Sequence, residues 1–207
     1  VVALGGGHGL AVSLSALRRV TSALTAIVGV VDDGGSSGRL RREMSVLPPG
    51  DLRMALAALC GDDEWGRTWS QVVQHRFRAE GDLQGHAVGN LLIAALWELL
   101  DDPVEALDHV AGLLHAQGRV LPASTEPLEI VAHVIGEDVG SDEALAEVRG
   151  QVAVATTKAR VVAVGLEPDR PPACDQAVQA VRAADWVILG PGSWFTSVIP
   201  HLLVPDL

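Results

Sequence analysis

Four glycines in five residues, Gly5-Gly6-Gly7-His8-Gly9, separate a short apolar run from a segment with Leu10, Leu14 and Leu17 on one helical face. This pattern predicts a tight strand-to-helix turn. Glycine backbone can take positive φ and come close to an anion, and a helix N-terminus presents unpaired N–H groups to it. The turn is therefore a candidate phosphate cradle, with a purely structural turn as the competing reading. It is not the dinucleotide fingerprint. Counted from Gly5, the third glycine of G-x-G-x-x-G falls on Leu10, and counted from Gly7 it falls on Val12. No Gly-Lys-Ser/Thr follows, so it is not a P-loop either.

A second cluster, Asp32-Asp33-Gly34-Gly35-Ser36-Ser37-Gly38-Arg39, begins just after the apolar run 25–31. Asp32 and Asp33 can hold a Mg²⁺, hydrogen-bond a ribose hydroxyl or act as a base. Ser36 and Ser37 lie among small residues able to form an anion nest, and Arg39, Arg41 and Arg42 can pair with phosphate. The alternative is a solvated surface loop. In Pro48-Pro49-Gly50-Asp51-Leu52-Arg53, Asp51 suits a helix N-cap worth about 1 kcal/mol, and equally suits a carboxylate facing the same cleft. His86 and Asn90, in Gly85-His86-Ala87-Val88-Gly89-Asn90-Leu91, share a helical face as either a structural pair or ligand contacts. Finally, Gly190-Pro191-Gly192-Ser193 repeats the logic of the first turn, with Ser193 as cap of a second helix start.

The elements that must position these groups follow from periodicity. Strands are predicted at 1–4, 25–31, 128–134, 151–155, 160–166 and 186–189, and helices after Gly9 and at 52–59, 65–74, 87–100, 103–116 and 175–184. Asp102 is expected to cap the 103–116 helix and Gly118 to stop it. Residues 32–42 read as a loop, and the acidic segment 136–147 as a solvated turn and short helix. This order predicts an α/β chain, a single Rossmann-like nucleotide-binding domain over 1–207. Its mostly parallel sheet is interrupted by a helical insertion at about 61–118. In such sheets ligands sit in the crevice outside the carboxyl ends of the strands, where the two glycine turns and the paired aspartates fall. The chain opens in mid-strand and stops after a helical pattern, so further C-terminal sequence is expected.

Composition narrows the function. A net charge of −11 argues against a nucleic-acid polymer as partner, while leaving room for a small anion held by local arginines. No apolar run approaches the roughly 18 residues of a membrane span. Only Cys60 and Cys174 occur, without metal-ligand spacing, which fits a reducing cytoplasm. The seven histidines show no zinc spacing. Trp65, Trp69 and Trp97 sit at helical positions and are expected to serve packing.

Taken in order, these five motifs resemble the bacterial gluconeogenesis factor family, sister to the 2-phospho-L-lactate transferases of deazaflavin coenzyme synthesis. One departure is His8, where that family usually has Thr. The resemblance implies a cytoplasmic regulator of carbon metabolism, cell shape and envelope synthesis. Its expected ligand is a nucleotide sugar of the UDP-N-acetylglucosamine type, and a regulatory protein partner and homo-oligomeric assembly go with it. The contact residues implied are Gly5, Gly6, Gly7, His8, Gly9, Asp32, Asp33, Ser36, Ser37, Arg39, His86, Asn90, Gly190, Gly192 and Ser193; no cofactor is required, and Asp32 and Asp33 could accept a Mg²⁺. The alternative is a phospholactate transferase using Asp32, Asp33 and Asp51 with Mg²⁺. Against it, the chain has no Tyr and only Phe77 and Phe195, so it offers little aromatic wall for a planar deazaflavin. An NAD-dependent oxidoreductase is weakened by the broken fingerprint.

Overall fold

Strands β1 (Val2–Gly5) and β2 (Thr25–Val28) pair in parallel, Val2 opposite Thr25 and Gly5 opposite Val28. Every residue of β1 and the last three of β2 are buried. Strands covered on both faces have no solvent side to mark with polar residues, which is why both read as continuous apolar runs. The computed structural model describes residues 1–78, 80–136 and 141–207. It places β3 (Arg119–Pro122) beyond β2 and β7 (Val187–Leu189) on the other side of β1, giving a parallel sheet of order β3-β2-β1-β7.

Side chains alternate across this sheet. Ala3, Ala26, Val28 and Val120 join one core cluster, with Leu10 and Leu14 of helix α1 (Gly7–Leu17) and Leu52, Ala55 and Leu56 of α3 (Pro49–Ala58). Val2, Leu4, Ile27 and Leu121 face the other way, against Cys174 and against Ala177 of α8 (Asp175–Ala183). Truncating a fully buried leucine such as Leu14 or Leu56 would cost about 2–5 kcal/mol.

The connection from β2 to β3 is long and helical. It holds α2 (Gly35–Met44), α3, α4 (Glu64–Gln74), α5 (Val88–Leu99) and α6 (Pro103–Leu113). Residues 61–118 thus carry α4, α5 and α6, and they form part of a lengthened crossover between neighbouring parallel strands. Asp102 caps α6 as its spacing predicts, accepting from the Val104 N–H at 2.8 Å ahead of Pro103 in the first turn. Trp69 and Trp97 pack against the core, whereas Trp65 lies over α6 and stacks on His115 at 5.4 Å between ring centroids.

A second sheet follows, antiparallel, built from β4 (Glu129–Gly136), β5 (Ser141–Arg149) and β6 (Arg160–Glu167) in the order β5-β4-β6. Helix α7 (Gln151–Thr156) lies between β5 and β6 in the chain, and a short α9 (Ile199–Leu202) comes near the end. Leu128, Ile130, Ala132, Val134, Val154 and Leu166 form its core, together with Val30 and Val31, which run on from β2.

Four expectations need correction. Residues 32–42 are not a loop: from Gly35 they form α2, whose Ser36, Ser37, Gly38 and Leu40 are buried, so tertiary burial outweighs the weak helix propensity of Gly and Ser. Residues 151–155 are helix rather than strand, because the distant Asp33 carboxylate accepts from the Val152 N–H at 3.0 Å and holds the start of α7. Within the acidic segment 136–147, residues 137–140 lie outside the described residues. From Ser141 the chain is strand, paired along β4 and tied by Arg149 to Glu129 at 3.1 Å. The four-residue β3 carried too little periodicity to register. Among the described residues, no helix is long and apolar enough to cross a membrane.

Candidate functional site

The carboxyl ends of β2, β1 and β7 are tied side by side. Gly29 N–H donates to the Gly5 carbonyl at 3.0 Å, and Gly190 N–H to the Leu4 carbonyl at 3.0 Å. Beyond β1 the chain turns through an extended Gly6 into Gly7 at φ +56, the left-handed region that side chains disfavour. Gly9, in the first turn of α1, abuts the Pro191 carbonyl so closely that any Cβ there would collide with it. The turn 5–9 and the turn 190–192 therefore meet directly at the point where the sheet order reverses, the usual place for a ligand in this architecture. His8 is exposed at the mouth.

One wall of the crevice is the start of α3. Asp51 is not its N-cap. Pro48 holds that position with Pro49 behind it, and Asp51 sits in the first turn with its carboxyl against the glycine turn. A Cβ on Gly6 would meet Asp51 Oδ2 at 2.5 Å. Burial, reinforced by the negative charge of Asp32, pushes the Asp51 carboxyl up to about 6, against the opposing pull of the Gly7 N–H and Arg53. A carboxyl that is partly neutral near pH 6 repels an incoming phosphate less than an ordinary aspartate would.

The paired aspartates diverge. Asp32 Oδ1 accepts from the Gly34 N–H at 3.0 Å, and Asp32 Oδ2 lies toward Gly50, whose Cβ would meet it at 2.8 Å. Asp33 is committed to α7. The two carboxyls that face each other across the crevice are thus Asp32 and Asp51. Ser37 joins them by accepting from the Gly50 N–H at 2.9 Å. Among the described residues, no cluster of three or more His, Cys, Asp or Glu is placed to hold a metal ion. Two carboxyls and a hydroxyl suit a hard cation only where phosphate oxygens complete its shell.

Ser36, His86 and Asn90 are buried together rather than lining open space. Asn90 Nδ2 donates to Ser36 Oγ at 3.0 Å, Ser36 Oγ lies 2.9 Å from His86 Nδ1, and Arg53 Nε donates to Asn90 Oδ1 at 2.9 Å. Ser36 Oγ, accepting from Asn90, can give its proton to His86 Nδ1 or accept one from it, and the neutral imidazole serves in either tautomer. Burial, followed by the charge of Arg39, lowers the His86 pKa and favours that form. The i, i+4 pair thus carries the structural half of its two readings, and its purpose is to seat Arg53. Gly89 serves the same end, since a Cβ there would meet Arg53 Cγ at 2.8 Å. The remaining candidates lie elsewhere. Arg39 donates to the carbonyls of Asp82 and Gln84, clamping the loop before α5. Ser193 makes no side-chain cap, and its carbonyl instead starts a π-helical turn, Trp194–Val198.

A family model described as 2-phospho-L-lactate transferase CofD matches residues 1–207. The chain belongs to the CofD family. Among its relatives is a gluconeogenesis factor of Listeria monocytogenes, 40% identical over 207 residues, covering 100% of this chain and 61% of that protein. A Mycobacterium tuberculosis protein provisionally given the same name is 58% identical, with 100% of this chain and 60% of the relative covered. A crystal structure of a UPF0052 family member from Bacillus halodurans superposes with a TM-score of 0.87 at 38% identity, over 99% of this chain and 62% of that one. The CofD-family chain thus spans about three fifths of the length of these relatives.

Two arginines near this crevice carried no assigned role in the sequence. Arg53 stood in a quoted motif without a role, although an arginine inside the otherwise apolar Leu52–Leu56 stretch is itself a signal of a buried, partnered cation. Arg76 lies in the link between α4 and α5 and carries no local mark at all.

Proposed function

We propose that the protein holds a nucleoside-diphosphate sugar, of the UDP-N-acetylglucosamine type, across the ends of β1 and β7 and acts as a regulator. The observation that carries this reading is the direct contact of the two glycine turns at Gly9 and Pro191, beside a Gly7 already set at positive φ. Backbone N–H groups of that turn are the natural donors to a diphosphate. The partly neutral Asp51 lowers the repulsion such an anion would meet. Asp32, Asp51 and Ser37 would hold a Mg²⁺ shared with the phosphates, which would neutralise charge there. The names of the Listeria and Mycobacterium relatives support a role in carbon metabolism. Control of cell shape and envelope synthesis, a cytoplasmic location, a regulatory protein partner and homo-oligomeric assembly belong to the same proposal.

A second reading, a 2-phospho-L-lactate transferase, is favoured by the description of the family model and by the Asp32–Asp51 pair. Calorimetric titration of full-length protein with UDP-N-acetylglucosamine, GDP and NAD tests the first reading, which expects the UDP-sugar to bind tightest. Incubation with Mg²⁺, a guanylylated phospholactate donor and a deazaflavin acceptor tests the second. Multiple turnover by mass spectrometry, abolished by Asp32→Ala, would replace the regulator with the enzyme.

A further inference from the structure

A cleft of about 680 Å³ runs between α1, α3 and α4, separate from the glycine turns and joined to them at His8. Its polar lining is strongly one-sided: Arg18, Arg53, Arg67 and Arg76 against a single acid, Asp62. At the far end the charges are already matched. Arg18 donates to Asp62 at 2.6 Å, to Gln117 at 3.0 Å and to the Ala58 carbonyl at 3.1 Å, and Arg67 donates to the Asp62 carbonyl.

The end next to His8 is different. Arg53 is 3% exposed, and its only hydrogen bond among the described residues runs from Nε to Asn90. Neither terminal nitrogen of this guanidinium has a hydrogen-bond partner among the described residues, and Arg53 lines the cleft. Arg76 lines the same end, held from behind by its bond to the Gly85 carbonyl at 2.9 Å, and no carboxylate of the lining stands there. Arg53 and Arg76 repel each other, and the carboxylates that offset Arg53, Asp51 and Asp32, are not among the residues lining the cleft. An anion filling the fork would offset much of the cost of burying an arginine seated through Gly89, Asn90, Ser36 and His86.

We propose that Arg53 and Arg76, with His8 at the mouth, form an anion subsite for a phosphate or carboxylate group distinct from the diphosphate on the glycine turns. The group comes either from a free anion or from an acidic substituent on the nucleotide ligand. Arg53 and Arg76 are not among the residues assigned to the nucleotide, and only His8 is shared, so each reading can fail alone.

The test is titration of full-length protein with inorganic phosphate at fixed ionic strength, read by calorimetry and by the NMR signals of the arginine Nε–H groups. The expected result is saturable binding that shifts the Arg53 Nε–H signal. It should weaken at least about tenfold in Arg76→Glu, in line with losing a bond to a charged group, and persist in Arg76→Lys and in the exposed α8 control Arg182→Ala. Source is decided by comparing UDP-glucose with UDP-glucuronate. A preference for the uronate that vanishes in Arg76→Ala assigns the anion to the ligand, whereas phosphate binding undiminished beside saturating UDP-glucose assigns it to a free anion. Phosphate binding that is absent, or indifferent to Arg76→Glu, overturns the subsite whether or not nucleotide sugars bind.

Discussion

A Cβ on Gly6 would lie 2.5 Å from Asp51 Oδ2, so the turn after β1 accepts a side chain there only if the Asp51 carboxyl gives way. The contact joins the first and third motifs, 45 residues apart in sequence, into one surface. Gly6→Ala forces the Asp51 carboxyl from its place, or else the turn or α3 to move. We expect a destabilisation of about 1–3 kcal/mol and loss of nucleotide-sugar affinity of about tenfold or more. Urea denaturation and calorimetry measure the two. Affinity unchanged in a folded variant would remove the turn from the site.

Asp51 also makes stability depend on pH. Its folded pKa of about 6 lies above the ordinary value of 3.8, so the folded chain binds the proton more tightly. Stability from this group is fully present below the unfolded pKa and is lost as pH rises through about 6. Asp51→Asn should therefore stabilise the protein at pH 7.5 by up to about 3 kcal/mol and do much less at pH 4. Urea midpoints from pH 4 to 8 check this. A variant curve parallel to that of the parent would show that Asp51 is not the titrating group. For the same reason, metal-free affinity for a diphosphate should rise as pH falls from 7.5 to 5.5, and flatten in Asp51→Asn.

Asn90 carries Arg53. Asn90→Ala leaves the buried Nε without its acceptor and should cost about 2–4 kcal/mol. Ser36→Ala, which strands an amide rather than a charge, should cost about 1–3 kcal/mol. Denaturant unfolding ranks the two, and the reverse order would mean that Arg53 finds another partner.

Asp33 and Asp32 should separate cleanly. Asp33→Ala removes the acceptor at the start of α7 and should lower stability by about 1 kcal/mol while leaving ligand affinity intact. Asp32→Ala should change affinity for a Mg²⁺-bound nucleotide sugar. Paired calorimetric and unfolding measurements decide this, and equal affinity losses in both variants would restore the adjacent pair as the functional unit.

Arg39 likewise changes role. Because its guanidinium clamps the Asp82 and Gln84 carbonyls, Arg39→Ala should speed hydrogen exchange in the loop before α5 and leave affinity within about 0.5 kcal/mol. A loss of about 1.5–3 kcal/mol in binding would return it to the phosphate.

Local chemistry determined a good deal. The continuous apolar runs of β1 and β2, the glycine turns and the Asp102–Pro103 cap each encode their structure within a few residues, so a doubly covered parallel sheet with a glycine turn at the end of its first strand was legible in the sequence. Tertiary structure alone decided the rest, because the deciding partner lies far along the chain. Residues 151–155 alternate like a strand, yet become α7 once the carboxyl of Asp33, 119 positions away, accepts from Val152. Asp32 and Asp33 look like a pair, yet Asp32 accepts from the Gly34 N–H ahead of α2 while Asp33 accepts from the Val152 N–H of α7. His86 and Asn90 looked able to touch a ligand, yet folding buries them with Ser36 around Arg53. Spacing along the chain records which groups can share a face, while burial and partners, which set charge and exposure, exist only after packing.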